Sequence, residues 1–116
     1  MLFEAREIQP YAQPVDPSDL RQGQAYFILN YDDADLCLPR MLPVIYIGHN
    51  LESGDIAQYY FQDASSYLAG VRRSAEGPDA HGEFIAQTVV KDVFEFERAL
   101  EVLMCCSLRR RSKASL

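Results

Sequence analysis

Two short apolar runs constrain this chain more than any other feature: Gln24-Ala-Tyr-Phe-Ile-Leu-Asn-Tyr31 and Leu42-Pro-Val-Ile-Tyr-Ile-Gly48. Both are rich in β-branched and aromatic residues and are bounded by breakers. They are too short for free-standing helices and too apolar for loops, so both read as core strands. An acidic, proline-ended connection, Asp32 to Arg40, joins them. In the first strand Tyr26, Ile28 and Asn30 share one face and Phe27, Leu29 and Tyr31 the other, and the second set is the expected core. In the second strand Val44, Tyr46 and Gly48 alternate with Ile45 and Ile47.

The remaining elements follow from local signals. Residues 1–9 alternate weakly, as an edge strand would, and Pro10, Pro14 and Pro17 then impose an extended crossing. Asp16-Pro17-Ser18-Asp19 predicts one helical turn, capped by Asp16 and left through Gly23 in a positive-φ conformation. A turn at Gly48-His49-Asn50 and a polar loop lead to a third strand, Gln58 to Gln62. Asp63 to Gly70 reads as a short helical turn capped at Asp63 and ended at Gly70, with a bent continuation of the strand as the alternative. Residues 71–82 form a polar surface loop, and Glu83 to Val90 is the last strand.

Asp92-Val93-Phe94-Glu95 has the spacing of a capping box and is expected to open a helix running to about Leu108. Phe96, Leu100, Leu103 and Ser107 form one stripe along it, flanked by Val93, Ala99, Met104 and Cys106. Val102 and Cys105 carry the apolar surface beyond a single face. A helix of this kind either sinks into the core or keeps a second face for another subunit.

A length of 116 residues suits one core and one domain, expected over residues 1–108, with 109–116 a basic, flexible tail. Charge is uneven. The net charge is −6, yet Arg109, Arg110, Arg111 and Lys113 follow a body that holds all 17 acidic residues. Such a body repels phosphate backbones, which disfavours nucleic acid as a partner. Three cysteines, Cys37, Cys105 and Cys106, are an odd number with two adjacent, so a disulfide framework is not expected and a reducing, cytoplasmic setting is. The N-terminal residues lack the features of a signal peptide, and no run reaches the length of a membrane span.

Several groups are candidates for chemistry or binding. Asp32, Asp33 and Asp35 could hold a hard cation or dock a basic peptide, but charge of this kind also simply solvates a loop. His49 and His81, with Asp55 or Asp63, would make a metal set only with a third ligand that no spacing supplies. Cys105 and Cys106 point about 100° apart on a helix, so one is expected in the core and the other at an interface or the surface. Cys37 reads as a small buried hydrophobe. Tyr59, Tyr60, Phe61 and Tyr67 beside Arg72 and Arg73 could stack single-stranded bases, although strand alternation commits some of these rings to the core. The basic tail complements the helix C-terminus. No phosphate-binding glycine loop, nucleophile elbow or zinc-protease motif is present.

The order of capped turn, aromatic strand Ala25 to Tyr31, acidic loop, strand, turn and further strands is similar to the SH3-like small barrels. That resemblance implies an α+β, mainly β fold: a partly open antiparallel barrel of about five strands with the C-terminal helix packed on it. The chain lacks the tryptophan that would line a proline-binding groove, so peptide specificity does not carry over. The expected function is a non-catalytic protein-interaction module, with no cofactor, that self-associates through its helix. Its partner-binding candidates are Tyr31, Asp32, Asp33, Asp35, Tyr59, Val102 and Met104. The alternatives are a small metal-dependent or ligand-binding enzyme using Asp32, Asp33, Asp35 and His49, and nucleic-acid binding through Arg72, Arg73 and the tail.

Overall fold

A computed structural model describes residues 12–73, 84–87 and 90–114. The expected edge strand over residues 1–9, most of the 71–82 loop and His81 lie outside the described residues. A 3₁₀ turn, Pro17–Asp19, precedes strands β1 (Ala25–Tyr31), β2 (Pro39–His49) and β3 (Tyr59–Asp63). Helix α1 (Ala64–Leu68), strands β4 (Phe84–Gln87) and β5 (Val93–Phe94), and helix α2 (Phe96–Ala114) complete the order. The strands form one antiparallel sheet in the order β4-β3-β2-β1-β5. Its outer strands, β4 and β5, sit at opposite edges, so the sheet is open and the expected barrel closure is not seen among the described residues.

Local capping chemistry works as the sequence implies. The Asp16 carboxylate accepts the Ser18 N–H at 3.0 Å, Pro17 opens the turn, and Gly23 leaves it at φ +85°. Asp63 caps α1 by accepting from Ser66 N–H at 2.9 Å, and Gly70 follows at φ +94°. Strand β2 starts at Pro39, three residues before the expected start. Its first five residues pair only with β1, because β3 pairs from Val44 onward. Pro39 and Pro43 therefore occupy a stretch with one open edge, where a missing N–H costs no ladder bond.

Both faces of β1 are used. Tyr26 and Ile28 join Val44, Tyr46, Phe61 and Val93 in the larger core, closed by Val15, Leu20 and Val90. Leu29, with half-buried Phe27 and Tyr31, packs with Phe94 against Ala99, Val102 and Cys106 of α2. The set Phe27, Leu29 and Tyr31 is thus only the second core, because α2 covers one face of the sheet and the 12–20 segment the other.

The capping box at Asp92 does not form. Val93 and Phe94 pair with Ile28 and Phe27, and the Val93 carbonyl accepts the Val15 N–H at 2.8 Å. Burying Val93 completely in the sheet outweighs a local cap worth about 1 kcal/mol. Helix α2 begins at Phe96 instead and continues to Ala114, six residues past its expected end at Leu108.

Candidate functional site

The buried side of α2 is defined by Ala99, Val102, Cys106 and Arg109, spaced to lie on one helical face. Arg109 ends this row and grips the β1–β2 loop. Its Nε donates to the Leu36 carbonyl at 2.8 Å, and its guanidinium lies 5.8 Å from the centre of the Tyr31 ring. The Tyr31 hydroxyl stands 3.4 Å from Nη2, and burial pushes that phenol above its ordinary pKa. One turn later, Lys113 pairs with Asp35. The four basic residues expected as a tail thus include two that fasten the acidic loop to the helix. The signal was present in the sequence, because the buried periodicity of Ala99, Val102 and Cys106 runs on to Arg109.

The three loop aspartates do not converge on a cation. Asp33 organises the loop itself, accepting the N–H groups of Leu38 at 2.8 Å and Cys37 at 3.0 Å. These bonds hold its carboxyl below the ordinary value, against a smaller opposing effect of burial. Asp32 pairs with Arg40 at 2.6 Å, and Asp35 with Lys113. His49 ends β2 while the loop precedes its start. Ten strand steps of ~3.3 Å separate them by about 30 Å. The enzyme alternative built on His49 and these aspartates is therefore not assembled, and no group of three or more metal-ligating side chains occurs among the described residues.

At the other end of the sheet, Tyr59 is half-buried with its ring 6.4 Å from His49. Tyr60 donates its hydroxyl proton to Asp55, a hydrogen bond that, with burial, pushes the phenol up to about 12. Arg73 lies over the Tyr60 ring and pairs with Glu52, while Arg72 lies 3.9 Å over the Tyr67 ring and donates to the Tyr67 carbonyl. Of the candidates for stacking bases, Tyr60 and Tyr67 are thus engaged by the two arginines, Tyr59 lies by His49, and Phe61 is fully buried beside Tyr46. A shallow cavity of about 340 Å³ sits beside them, with fully buried Gln62 in its wall.

All three cysteines are buried. Cys105 and Cys106 therefore do not divide between core and surface as their angular separation suggested. Val102, 5% exposed, packs inside the monomer, whereas Met104, 44% exposed, faces outward.

Among the described residues, the outward face of α2 carries the most prominent cluster of exposed large apolar side chains. Phe96, Leu100, Leu103, Met104 and Leu108 are all exposed, Leu100 by 63%. Phe96, Leu100 and Leu103 belong to the stripe read along this helix in the sequence, which left open which face is buried; the stripe points away from the core. Phe96 leans edge-on against Phe27 at 4.8 Å, and the stripe borders a groove of about 490 Å³ between α2 and the acidic loop. Cys37, Pro39, Leu103, Cys106, Ser107 and Arg110 line that groove. Among the described residues no helix is long and apolar enough to cross a membrane. Comparison with protein-family models, curated proteins and solved structures returns no match.

Proposed function

We propose that this domain is a non-catalytic protein-interaction module whose docking surface is the outward face of α2. One observation carries the reading: five large apolar side chains stand exposed on a single helix whose opposite face is already packed. Scattered surface hydrophobes need no explanation, but a contiguous apolar face rimmed by charge is a recurring mark of a protein-binding site. The rigid backing fits that role, because the sheet seats α2 along Ala99, Val102 and Cys106 and the loop clamps it through Arg109 and Lys113. The reading sets the module in the cytoplasm, which three cysteines outside any disulfide support.

The test compares tagged wild-type protein with Leu100→Glu/Met104→Glu in nuclease-treated native lysate, with hydrogen exchange on the recovered complex. A bound protein lost in the variant, together with slowed exchange confined to α2, is the expected result. A bound set unchanged by the variant overturns the reading.

A further inference from the structure

Away from α2, we infer that the cavity of about 340 Å³ beside β3 binds a small aromatic acid whose ring carries an N–H or O–H donor, recognised by Gln62 and Arg72. Gln62 is 0% exposed although its side chain is a polar amide. It sits in a strand flanked on both sides, opposite Ile45 of β2 and Phe84 of β4. Its amide nitrogen donates to the Val71 carbonyl at 2.9 Å and to the Ser66 hydroxyl at 2.8 Å. A carbonyl only accepts, so Val71 fixes which end of the amide faces it. Ser66 in turn donates its own proton to the Asp63 carboxylate at 2.6 Å. Both amide N–H groups are therefore in use, and the oxygen is turned away from their partners. There Oε1 receives no hydrogen bond from any described residue. A buried acceptor without a donor is costly, and Gln62 lines the cavity. An N–H or O–H carried in by a ligand supplies what the chain does not.

The rest of the wall sets the ligand class. Ile47, Leu51 and Tyr67 line the same cavity and offer a flat ring an apolar and aromatic surface. Two arginines line it and no acidic residue does. Arg73 is paired with Glu52, which leaves Arg72 as the cation of the site. Arg72 lies 3.9 Å over the Tyr67 ring, and its Nη1 donates to the Val71 carbonyl at 2.7 Å and the Tyr67 carbonyl at 2.8 Å. Those bonds occupy Nη1 alone. Nε and Nη2 have no hydrogen-bond partner among the described residues, and this edge of a guanidinium takes a carboxylate with two parallel bonds. Gln62 and Arg72 share the Val71 carbonyl, so acceptor and cation stand side by side in one wall. A ring bearing both a donor and a carboxylate addresses the two at once.

Nuclear magnetic resonance on isotope-labelled protein tests this with 3-hydroxybenzoate, 4-hydroxybenzoate, 4-hydroxyphenylacetate and indole-3-carboxylate, each titrated to ~10 mM. Fragments of this size bind with a Kd of about 1 mM, and at least one should move the Gln62 side-chain amide and Arg72 Nε signals. The methoxy or N-methyl counterpart keeps the carboxylate and loses the donor. It should bind about tenfold more weakly, because a site that accepts from a donor rejects the analogue lacking it. Gln62→Met, similar in length but without the acceptor oxygen, should cause a comparable loss, and Arg72→Ala a loss of about fivefold. Circular dichroism separates lost binding from lost fold, and the comparison of paired probes on the wild type stands without either variant. No movement at Gln62 with any of the four acids overturns the inference. Equal wild-type affinity for an acid and its donor-free counterpart overturns it as well.

Discussion

Val102 and Met104 stand two residues apart on one helix, and the fold gives them opposite burdens. Val102 sits beneath α2 against Leu29 and Phe94, while Met104 faces outward. Truncating Val102 to Ala removes two buried carbons, worth about 1.6 kcal/mol at ~0.8 kcal/mol each. The residual cavity raises the loss to about 2.5 kcal/mol, since the rigid sheet below collapses only in part. Alanine's better helix propensity returns about 0.5 kcal/mol, leaving a net loss of about 2 kcal/mol. For a domain of this size that corresponds to a drop of about 8 °C in melting temperature at ~4 °C per kcal/mol. Met104→Ala truncates a side chain that is 44% exposed and lies off the packed face, and should change stability by less than ~0.5 kcal/mol. Urea unfolding followed by far-ultraviolet circular dichroism, at a concentration low enough to keep the protein monomeric, measures both. Equal losses for the two variants, or a larger one for Met104→Ala, would refute the assignment of the helix faces.

Three further outcomes check other parts of the structure. Gly48 lies at φ +138° where β2 shifts register, and a Cβ there would meet Leu51 at 3.0 Å, so Gly48→Ala should cost about 1–3 kcal/mol in urea unfolding; a variant as stable as wild type contradicts the bulge geometry. Tyr60 is held up to about 12 by its hydrogen bond to Asp55, so its contribution is intact below pH 10 and lost as pH rises toward 12. Tyr60→Phe should flatten that alkaline decline in melting temperature, and an unchanged slope argues against the bond. Asp33 is held below its ordinary 3.8 by the N–H groups of Leu38 and Cys37, so its contribution is present above that value and lost on acidification below it. Asp33→Ala should melt lower at neutral pH and lose less on acidification; an acid limb identical to wild type sinks the role of Asp33 in the loop.

Signals confined to a few residues were legible in the sequence, and those that depend on a distant partner were not. The 3₁₀ turn is written in Asp16, Pro17 and Gly23, and α1 in Asp63 and Gly70, because each cap is satisfied within three residues of itself. The capping box at Asp92 misled because Val93 and Phe94 have a better offer from β1, which no local pattern announces. Period-two alternation in β1 offers two apolar sets and does not rank them. Their ranking depends on what covers each face, and α2 lies far along the chain. For the site, the apolar excess of α2 was visible, but its division was not. Five of the large apolar side chains in that helix face water, and the smaller Ala99, Val102, Cys105 and Cys106 face inward, because a helix seated close on a sheet favours small residues at the contact.

The pairing of β1 has a consequence for how the chain is made. On one side it needs β2, a hairpin partner that follows immediately; on the other it needs Val93 and Phe94. At ~5–20 residues per second, β5 leaves the ribosome roughly 3–13 s after β1. Through that interval β1 presents an unpaired edge with Phe27 and Leu29 uncovered, the kind of edge on which neighbouring chains pair. Crowded polysomes therefore expose the nascent hairpin to its own copies before α2 exists to shield it, and β5 and α2, made later, are the elements that end the hazard.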